Sequence, residues 1–208
     1  MNEEKTTKQK ILEEALKLFS EKGYEGVSMR EIAAVVGIKG ASIYNHFKGK
    51  EDIFHGIFQE MLSRYDGMVG LLSIPIEETD DAAQRFAGLG EQEMLYLTKE
   101  MFDFFGKDEF VVRFRRMLVT EQNRSVLAAQ TLKSYYFDAP IRYQTDLFKK
   151  MQRCGSFKGY DASVMALHFY GPIYFLINQY DLEQDYGACI KELEQHVKGF
   201  MKLYGKAR

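Results

Sequence analysis

The stretch that most constrains this 208-residue chain is 27–50, which reads VSMREIAAVVGIKGASIYNHFKGK. Ser28 is a suitable N-cap, and a glutamate three residues later gives the spacing of a capping box. The apolar residues that follow fill about two helical turns, and Gly37 can take the positive φ with which many helices end. A second short helix is expected after the turn, with Ile43 and Phe47 packing on the first helix. The pattern predicts a helix, a tight turn and a helix.

The outward face of this second helix carries no carboxylate. It consists of Gly40, Ala41, Ser42, Tyr44, Asn45 and His46. From residue 36 to residue 50 there is no Asp or Glu, although acids make up 30 of the 208 residues. Lys39, Lys48 and Lys50 lie in the same stretch. Because a surface with cations and no anions suits phosphate, we count these three lysines and the outward face as candidate DNA-binding residues.

The run GIKGASIYNHFKGKEDIF resembles the recognition helix, and the start of the following helix, of the tetracycline-repressor (TetR) family of bacterial transcription regulators. The specific part of the match is the spacing of Tyr44, Phe47 and Lys50 before two acids and an apolar residue. The resemblance covers roughly the first quarter of the chain. Lys39 and Ala41 depart from the commonest family pattern, which often has serine and glycine there. The DNA sequence that is recognised therefore does not carry over.

The resemblance implies a role for individual residues of the motif. Tyr44, His46 and Lys50 would contact DNA phosphates, and Ser28 would offer its hydroxyl and amide to the DNA backbone. Arg30 would reach a base from the preceding helix. The residues that would face the bases are Gly40, Ala41, Ser42 and Asn45.

The charge balance differs between the two ends of the chain. Up to residue 50 there are nine Lys or Arg and seven Asp or Glu, a net charge of +2, whereas the remainder has a net charge of −4. The basic excess therefore lies at the end that carries the motif. No segment approaches the roughly 20 unbroken apolar residues that a membrane-spanning helix needs.

Motifs of catalysis are absent from the sequence. The chain has no phosphate-binding glycine loop, no Gly-x-Ser-x-Gly, no His-Glu-x-x-His and no Cys-x-x-Cys. Cys154 and Cys189 have neither metal-ligand spacing nor the density of a disulfide scaffold. We therefore expect no enzyme activity, no cofactor, no metal, and free thiols in a cytoplasmic protein. A redox role for either cysteine stays open.

Helical periodicity continues along the chain and predicts an all-α protein with about nine helices. We expect a helix-turn-helix DNA-binding domain in residues 1–50 and a ligand-binding and dimerisation domain in residues 51–208. The helices are expected at Thr6 or Thr7 to Lys22, the two of the motif, Lys50 to about Leu72, one from near Thr79, two meeting at Gly106-Lys107, Ser125 to Gln152, Asp161 to Tyr180, and Gln184 to Tyr204. Because Pro140 lies inside the long helix, we expect a kink or break after Tyr136.

The body is rich in flat and adaptable side chains, since the chain has 13 Tyr, 16 Phe and 10 Met. Such residues line apolar ligand pockets and also simply fill helical cores, so composition leaves both interpretations open. The family resemblance favours a pocket for a small effector. Candidate lining residues are Phe102, Phe105, Phe114, Tyr135, Tyr143, His168 and Tyr174. For His168 a hydrogen-bonded core position is the alternative.

Dimerisation is expected through the last two helices. The helix from Asp161 to Tyr180 is apolar around most of its circumference and must be covered on several sides. The last helix has an apolar stripe of Tyr186, Ile190, Leu193, Val197, Phe200, Met201 and Tyr204. Paired across a two-fold axis, these helices would form a four-helix interface and place two heads about 34 to 36 Å apart on double-stranded DNA.

The sequence thus predicts a homodimeric DNA-binding regulator, a repressor released from its operator by a small apolar or aromatic ligand. One alternative is a regulator that a protein partner switches through the same body. A second is a helical enzyme or lipid carrier with an incidental helix-turn-helix.

Overall fold

The computed structural model describes residues 5–72 and 90–205, and in these two ranges every regular element is helical. The helices are α1 (Thr7–Lys22), α2 (Met29–Val36), a 3-10 turn (Ser42–Asn45), α3 (Lys50–Leu71), α4 (Glu91–Lys107), α5 (Glu109–Glu121), α6 (Val126–Lys133), a π-helical turn (Ser134–Asp138), α7 (Ala139–Arg153), α8 (Ala162–Glu183) and α9 (Tyr186–Tyr204). The all-α fold class is confirmed. The helix expected near Thr79 lies outside the described residues.

Helix α1 begins and ends where local signals place it. The Thr6 hydroxyl accepts the Gln9 amide at 3.2 Å, and the Gln9 side-chain oxygen accepts the Thr6 amide at 2.9 Å. Gly23, with φ of +77°, ends the helix, and the Tyr24 ring folds back onto Phe19 with 5.1 Å between ring centroids. A reciprocal cap and a glycine stop therefore define the helix.

The residue contacts divide the chain into two compact units. Unit 1 comprises Met1–Met68 and Glu109–Leu132, and unit 2 comprises Val69–Asp108 and Lys133–Arg208. The predicted head therefore shares a packed unit with α5 and α6. The functional boundary after residue 50 stays a prediction, since these units describe packing alone.

Unit 1 is centred on α1, which packs on both α2 and α5. Ile11 and Phe19 of α1 and Ile57 of α3 are completely buried. Gly56 allows α1 and α3 to approach closely, because a Cβ there would lie 2.7 Å from a methyl carbon of Leu12. Burial of such apolar side chains is the main source of stability for this unit.

Unit 2 has a core of aromatic and aliphatic side chains from α4, α7, α8 and α9. Phe148 lies at its centre, and its ring centroid is 5.3 to 5.7 Å from those of Phe157, Phe169 and Phe200. The α9 stripe contributes Leu193, Val197, Phe200 and Tyr204 to this core. The prediction that these stripe residues face a second copy was wrong, because α9 packs them against its own unit.

Where a kink or break after Tyr136 was predicted, the structure has a π-helical turn, Ser134–Asp138, which directly joins α6 to α7. Proline has no N–H to donate to the carbonyl four residues earlier, which is that of Tyr136. The Tyr170 hydroxyl of α8 donates to this carbonyl instead, at 2.8 Å. The carbonyl that Pro140 cannot bond therefore finds a donor in a neighbouring helix.

Candidate nucleic-acid interface

Helix α2 begins at the predicted N-cap. The Ser28 hydroxyl accepts the Glu31 amide at 3.2 Å. The reciprocal half of the capping box does not form, since the Glu31 carboxylate pairs with Lys22 of α1. This hydrogen bond from Lys22 lowers the pKa of Glu31. The predicted capping box was therefore half wrong, and the carboxylate connects α2 to α1 instead.

A Schellman motif ends α2. Gly37 adopts φ of +79° and ψ of +28°, its amide donates to Ala34 O at 3.2 Å, and the Ile38 amide donates to Ala33 O at 2.9 Å. These two bonds satisfy carbonyls that the end of the helix would leave open. The conformation of the turn between the two motif elements is therefore fixed by Gly37, as predicted from the sequence.

The second motif element is shorter than the sequence indicated. Instead of an α-helix, residues Ser42–Asn45 form one 3-10 turn. Ala41 precedes it and supplies no side-chain cap, so nothing offsets the unfavourable nucleation of an α-helix this short. Ile43 and Phe47 are both buried, which confirms the predicted packing face. The opposite face is turned outward.

The candidate DNA-binding residues lie on that outward side. Those classed as exposed are Ser28, Arg30, Lys39, Gly40, Ala41, Tyr44, Asn45, His46 and Lys48, whereas Ser42 and Lys50 are half-buried. Arg30 of α2 lies beside the turn, because its Cγ is 3.8 Å from where a Cβ on Gly40 would stand. The structure therefore brings Arg30 next to the segment that contains the other candidates.

Lys50 is held by the loop between α1 and α2. Its Nζ donates to the Tyr24 carbonyl at 2.8 Å and lies 4.5 Å from the centroid of the Tyr24 ring. Glu25 is 3.8 Å away, and the lysine side chain is 23% exposed. An ammonium has three N–H donors, so one bond to a carbonyl leaves others for a phosphate.

Glu121 is a residue of this region that sequence reasoning missed. It lies on α5, is buried, and accepts the Tyr24 amide at 3.0 Å. The two residues are 97 positions apart, so no local pattern connects them. The sequence held one signal for a buried Glu121, namely that an acid stands at the end of an otherwise apolar face of this helix.

The residues predicted to line a ligand pocket do not form one group. Phe114 belongs to unit 1 and packs on Phe58, with 5.7 Å between ring centroids. Phe102 is fully buried in the core of unit 2, whereas Tyr135 and Tyr143 are half-buried in that unit. Their part in ligand binding stays a prediction.

His168 is hydrogen-bonded but is not a core residue. It lies on the exposed side of α8, and its Nδ1 is 2.8 Å from the Tyr204 hydroxyl. The core interpretation was wrong, because α8 turns this side chain toward the surface of its unit. A part of His168 in ligand binding stays a prediction.

Phe105 and Tyr174 both contact Tyr136, in what we call the aromatic cluster. Its members are Phe105, Tyr136, Phe137, Tyr170 and Tyr174. The Tyr136 centroid is 5.9 Å from that of Phe105 and 6.3 Å from that of Tyr174, which also contacts Phe137 and Tyr170. The cluster surrounds the π-helical turn.

The described residues show neither a membrane-spanning helix nor a metal site. No helix in these ranges is long and apolar enough to cross a membrane. No group of three or more His, Cys, Asp or Glu side chains in residues 5–72 and 90–205 is arranged to hold a metal ion. Both cysteines are free thiols.

The N-terminal segment is similar to proteins of a known family. Residues 11–57 match the family model described as "Bacterial regulatory proteins, tetR family". The DNA-binding segment of this chain belongs to the TetR family. It is 49% identical over 47 residues to IcaR of Staphylococcus epidermidis, the negative transcriptional regulator of the biofilm operon icaADBC. This match covers 23% of the chain and about a quarter, 25%, of the length of that relative.

The whole chain also has the fold of solved regulators. A transcriptional regulator from Saccharomonospora viridis, in complex with choline, has a TM-score of 0.68 and 20% identity, covering 96% of this chain and 98% of that one. SmeT, the repressor of the Stenotrophomonas maltophilia multidrug efflux pump SmeDEF, in complex with triclosan, has a TM-score of 0.64 and 16% identity, covering 97% and 93%. At these identities the likeness concerns the TetR-type fold alone.

Proposed function

We propose that this chain is a transcription repressor that binds double-stranded operator DNA as a homodimer and is released by a small apolar or aromatic ligand. The observation that carries the proposal is the outward face of the helix-turn-helix. Its exposed side chains are small, polar or basic, and it has no carboxylate from residue 36 to residue 50. Such a face approaches phosphates and base edges without electrostatic repulsion.

The experiment is a fluorescence anisotropy titration of the wild-type protein with DNA that flanks its own gene, against shuffled DNA of equal length. Specific binding exceeds nonspecific binding by roughly 1,000-fold or more for typical regulators at physiological salt. We expect a preference of that order for at least one fragment. Equal affinity for every fragment and for shuffled DNA contradicts the proposal.

The outer face of α8 supports the dimer. Val164, Leu167, Phe175 and Leu182 are 59%, 62%, 64% and 86% exposed. Their spacing of three, eight and seven residues places them on one side of the helix, and apolar patches of this kind mark interfaces. A second copy is the natural occupant, since reading two successive major grooves requires two heads related by a two-fold axis. The interface that we propose thus uses the outer side of α8, next to α9.

The aromatic cluster is the region of unit 2 that we propose for the ligand. π-helical turns often occur at functional sites, and one lies inside this cluster. Elsewhere in the described part of unit 2, the side-chain oxygens of Gln144 and Gln179 are buried without a hydrogen-bond partner. A ligand with an aromatic or apolar body and an N–H or O–H group would satisfy such acceptors. Choline and triclosan in the two similar proteins are likewise small molecules.

Helix α3 is the connection that we propose for release. It runs without a break from Lys50, in unit 1, to Leu71, in unit 2. A ligand shifts DNA affinity only as far as it binds the two conformations unequally, and typical coupling changes affinity about 5- to 150-fold. By reciprocity, operator DNA weakens ligand binding by the same factor.

A titration of candidate ligands with and without operator DNA tests this coupling. Identical ligand affinity in both titrations excludes that ligand as the inducer. If small molecules leave operator affinity unchanged while a protein partner alters it, the partner-switched alternative replaces this part of the proposal.

A further inference from the structure

Glu121 is a buried charged residue in unit 1. Only 3% of its surface is exposed, although it lies at the last position of α5. Burial of a carboxylate is unfavourable unless hydrogen bonds compensate it, and its Oε1 accepts the Tyr24 amide at 3.0 Å. The carboxylate is therefore directed at the loop between α1 and α2.

The amide, the carbonyl and the ring of Tyr24 each make a contact in this loop. Its amide donates to Glu121, and its carbonyl accepts from Lys50 Nζ at 2.8 Å. Its ring packs on Phe19 and Phe54, with 5.1 and 5.7 Å between ring centroids. The Lys50 ammonium lies 4.5 Å from the centroid of the Tyr24 ring. One residue thus joins the carboxylate of α5 to the lysine that begins α3.

Gly23 shows how closely the carboxylate approaches the loop. A Cβ at this position would stand 2.8 Å from Glu121 Oε1, and the φ of +77° is itself one that favours glycine. Because Gly23 has no side chain, the Glu121 carboxylate can lie where the Cβ of any other residue would collide with it.

We propose that Glu121 is a positioning residue of the DNA-binding surface. It fixes the Tyr24 backbone, and Tyr24 in turn fixes the Lys50 ammonium where a DNA phosphate binds. A side chain that is already ordered loses less freedom on binding, so the contact is stronger than that of a free lysine. This inference rests on the proposed function, since it concerns the contact of Lys50 with operator DNA.

The first experiment compares Glu121→Ala and Glu121→Gln with wild type by operator anisotropy over a series of salt concentrations. The alanine variant is expected to lose affinity on the order of tenfold, the worth of a charge-assisted hydrogen bond. Its slope of log affinity against log salt is expected to flatten by up to about one unit, as for one lost phosphate contact. The glutamine variant retains a side-chain oxygen acceptor and is expected to keep most of the affinity.

Glu109→Gln is the matched control. It changes the same chemical group on the same helix, but Glu109 is 76% exposed at its side chain and pairs with Arg113. Its affinity and salt slope are expected to equal those of wild type. An equal loss in this control and in Glu121→Ala overturns the proposal, because the effect would then follow from charge alone.

The decisive measurement is a double-mutant cycle with Lys50→Ala. If Glu121 acts through Lys50, then Glu121→Ala changes neither affinity nor slope further once Lys50 is alanine. Additive losses overturn the inference. Should Glu121→Ala not fold, the same cycle is run with Glu121→Gln, whose smaller loss must likewise vanish in the Lys50→Ala background.

Amide hydrogen exchange without DNA separates this inference from the proposed function. The Tyr24 amide is expected to exchange faster in Glu121→Ala than in wild type, while the Ile38 amide at the end of α2 keeps its protection. If the wild-type protein binds operator DNA but the Tyr24 amide exchanges equally fast in Glu121→Ala and in wild type, only this inference is overturned. If the wild-type protein binds no DNA specifically, this inference and the proposed function are both overturned.

Discussion

Alanine at Gly23 is expected to destabilise the protein more than alanine at Gly37, although both glycines end a helix with positive φ. Gly37 lies at φ +79° and ψ +28°, and nothing stands within 4 Å of an added Cβ. The cost there is that of the left-handed region, about 1 to 2 kcal/mol. Gly23 lies at φ +77° and ψ +156°, a region that is essentially restricted to glycine and costs about 1 to 3 kcal/mol.

The second contribution at Gly23 is the collision with Glu121. An added Cβ would be 2.8 Å from Oε1, so the carboxylate must move and its bond to the Tyr24 amide weakens. Loss of that bond costs roughly a further 1 to 3 kcal/mol. Gly23→Ala is therefore expected to lower the free energy of unfolding by about 2 to 6 kcal/mol.

Urea unfolding followed by far-UV circular dichroism measures both variants, since the chain has no tryptophan for fluorescence. Protein concentration is held constant because dimerisation changes the apparent stability. The two variants should show similar m-values, so that the difference in midpoint reports stability. A loss for Gly23→Ala that is equal to or smaller than that for Gly37→Ala refutes the reasoning.

Three further expectations concern unit 2. Tyr170→Phe is expected to cost about 1 to 3 kcal/mol on urea unfolding, because it removes the donor to the Tyr136 carbonyl, and less in a Pro140→Ala background that restores a backbone N–H. Phe175→Asp is expected to give a monomer by sedimentation at micromolar concentration, whereas Val126→Asp, at an apolar residue of α6 that is 75% exposed, is expected to leave the association state unchanged. Burial, with a smaller effect of His168, lowers the pKa of His196. The unfolded chain therefore binds a proton more readily, so stability is lost as pH falls below about 6.5, and His196→Gln is expected to flatten this dependence in thermal unfolding from pH 7 to pH 5.

The helix ends were the most predictable part of the fold, because their signals are local. Ser28 caps the amide three residues on, Gly37 supplies the left-handed turn, and Pro140 lies in the first turn of α7, directly after the π-helical turn. Each of these effects acts within one or two turns of the chain. All the residues that determine these helix ends therefore lie close together in the sequence.

What covers an apolar face was much less predictable. The stripe on α9 and the outer side of α8 look alike in periodicity, yet Phe200 is buried in its own unit while Phe175 is 64% exposed. Periodicity gives the direction of a face but not the element that packs on it. His168 was misplaced for the same reason.

Which residues lie on the candidate DNA surface was largely predictable from the sequence. The contacts that hold those residues in place were not. Chemical type and exposure agree for the motif residues, although the second element proved to be a 3-10 turn. The link from Glu121 through Tyr24 to Lys50 joins distant segments, and it emerges only when α5 packs beside α1.

The most direct test of the central claim, that the outward face of residues 40–48 reads DNA, compares Asn45→Ala with Lys48→Ala. Affinity for the operator and for shuffled DNA is measured for both variants at one salt concentration. Asn45→Ala is expected to lose about 1 to 3 kcal/mol on the operator and little on shuffled DNA, because an amide reads a base edge. Lys48→Ala is expected to weaken both alike, because an ammonium contacts phosphate. An unchanged ratio of operator to shuffled affinity in Asn45→Ala would contradict the account.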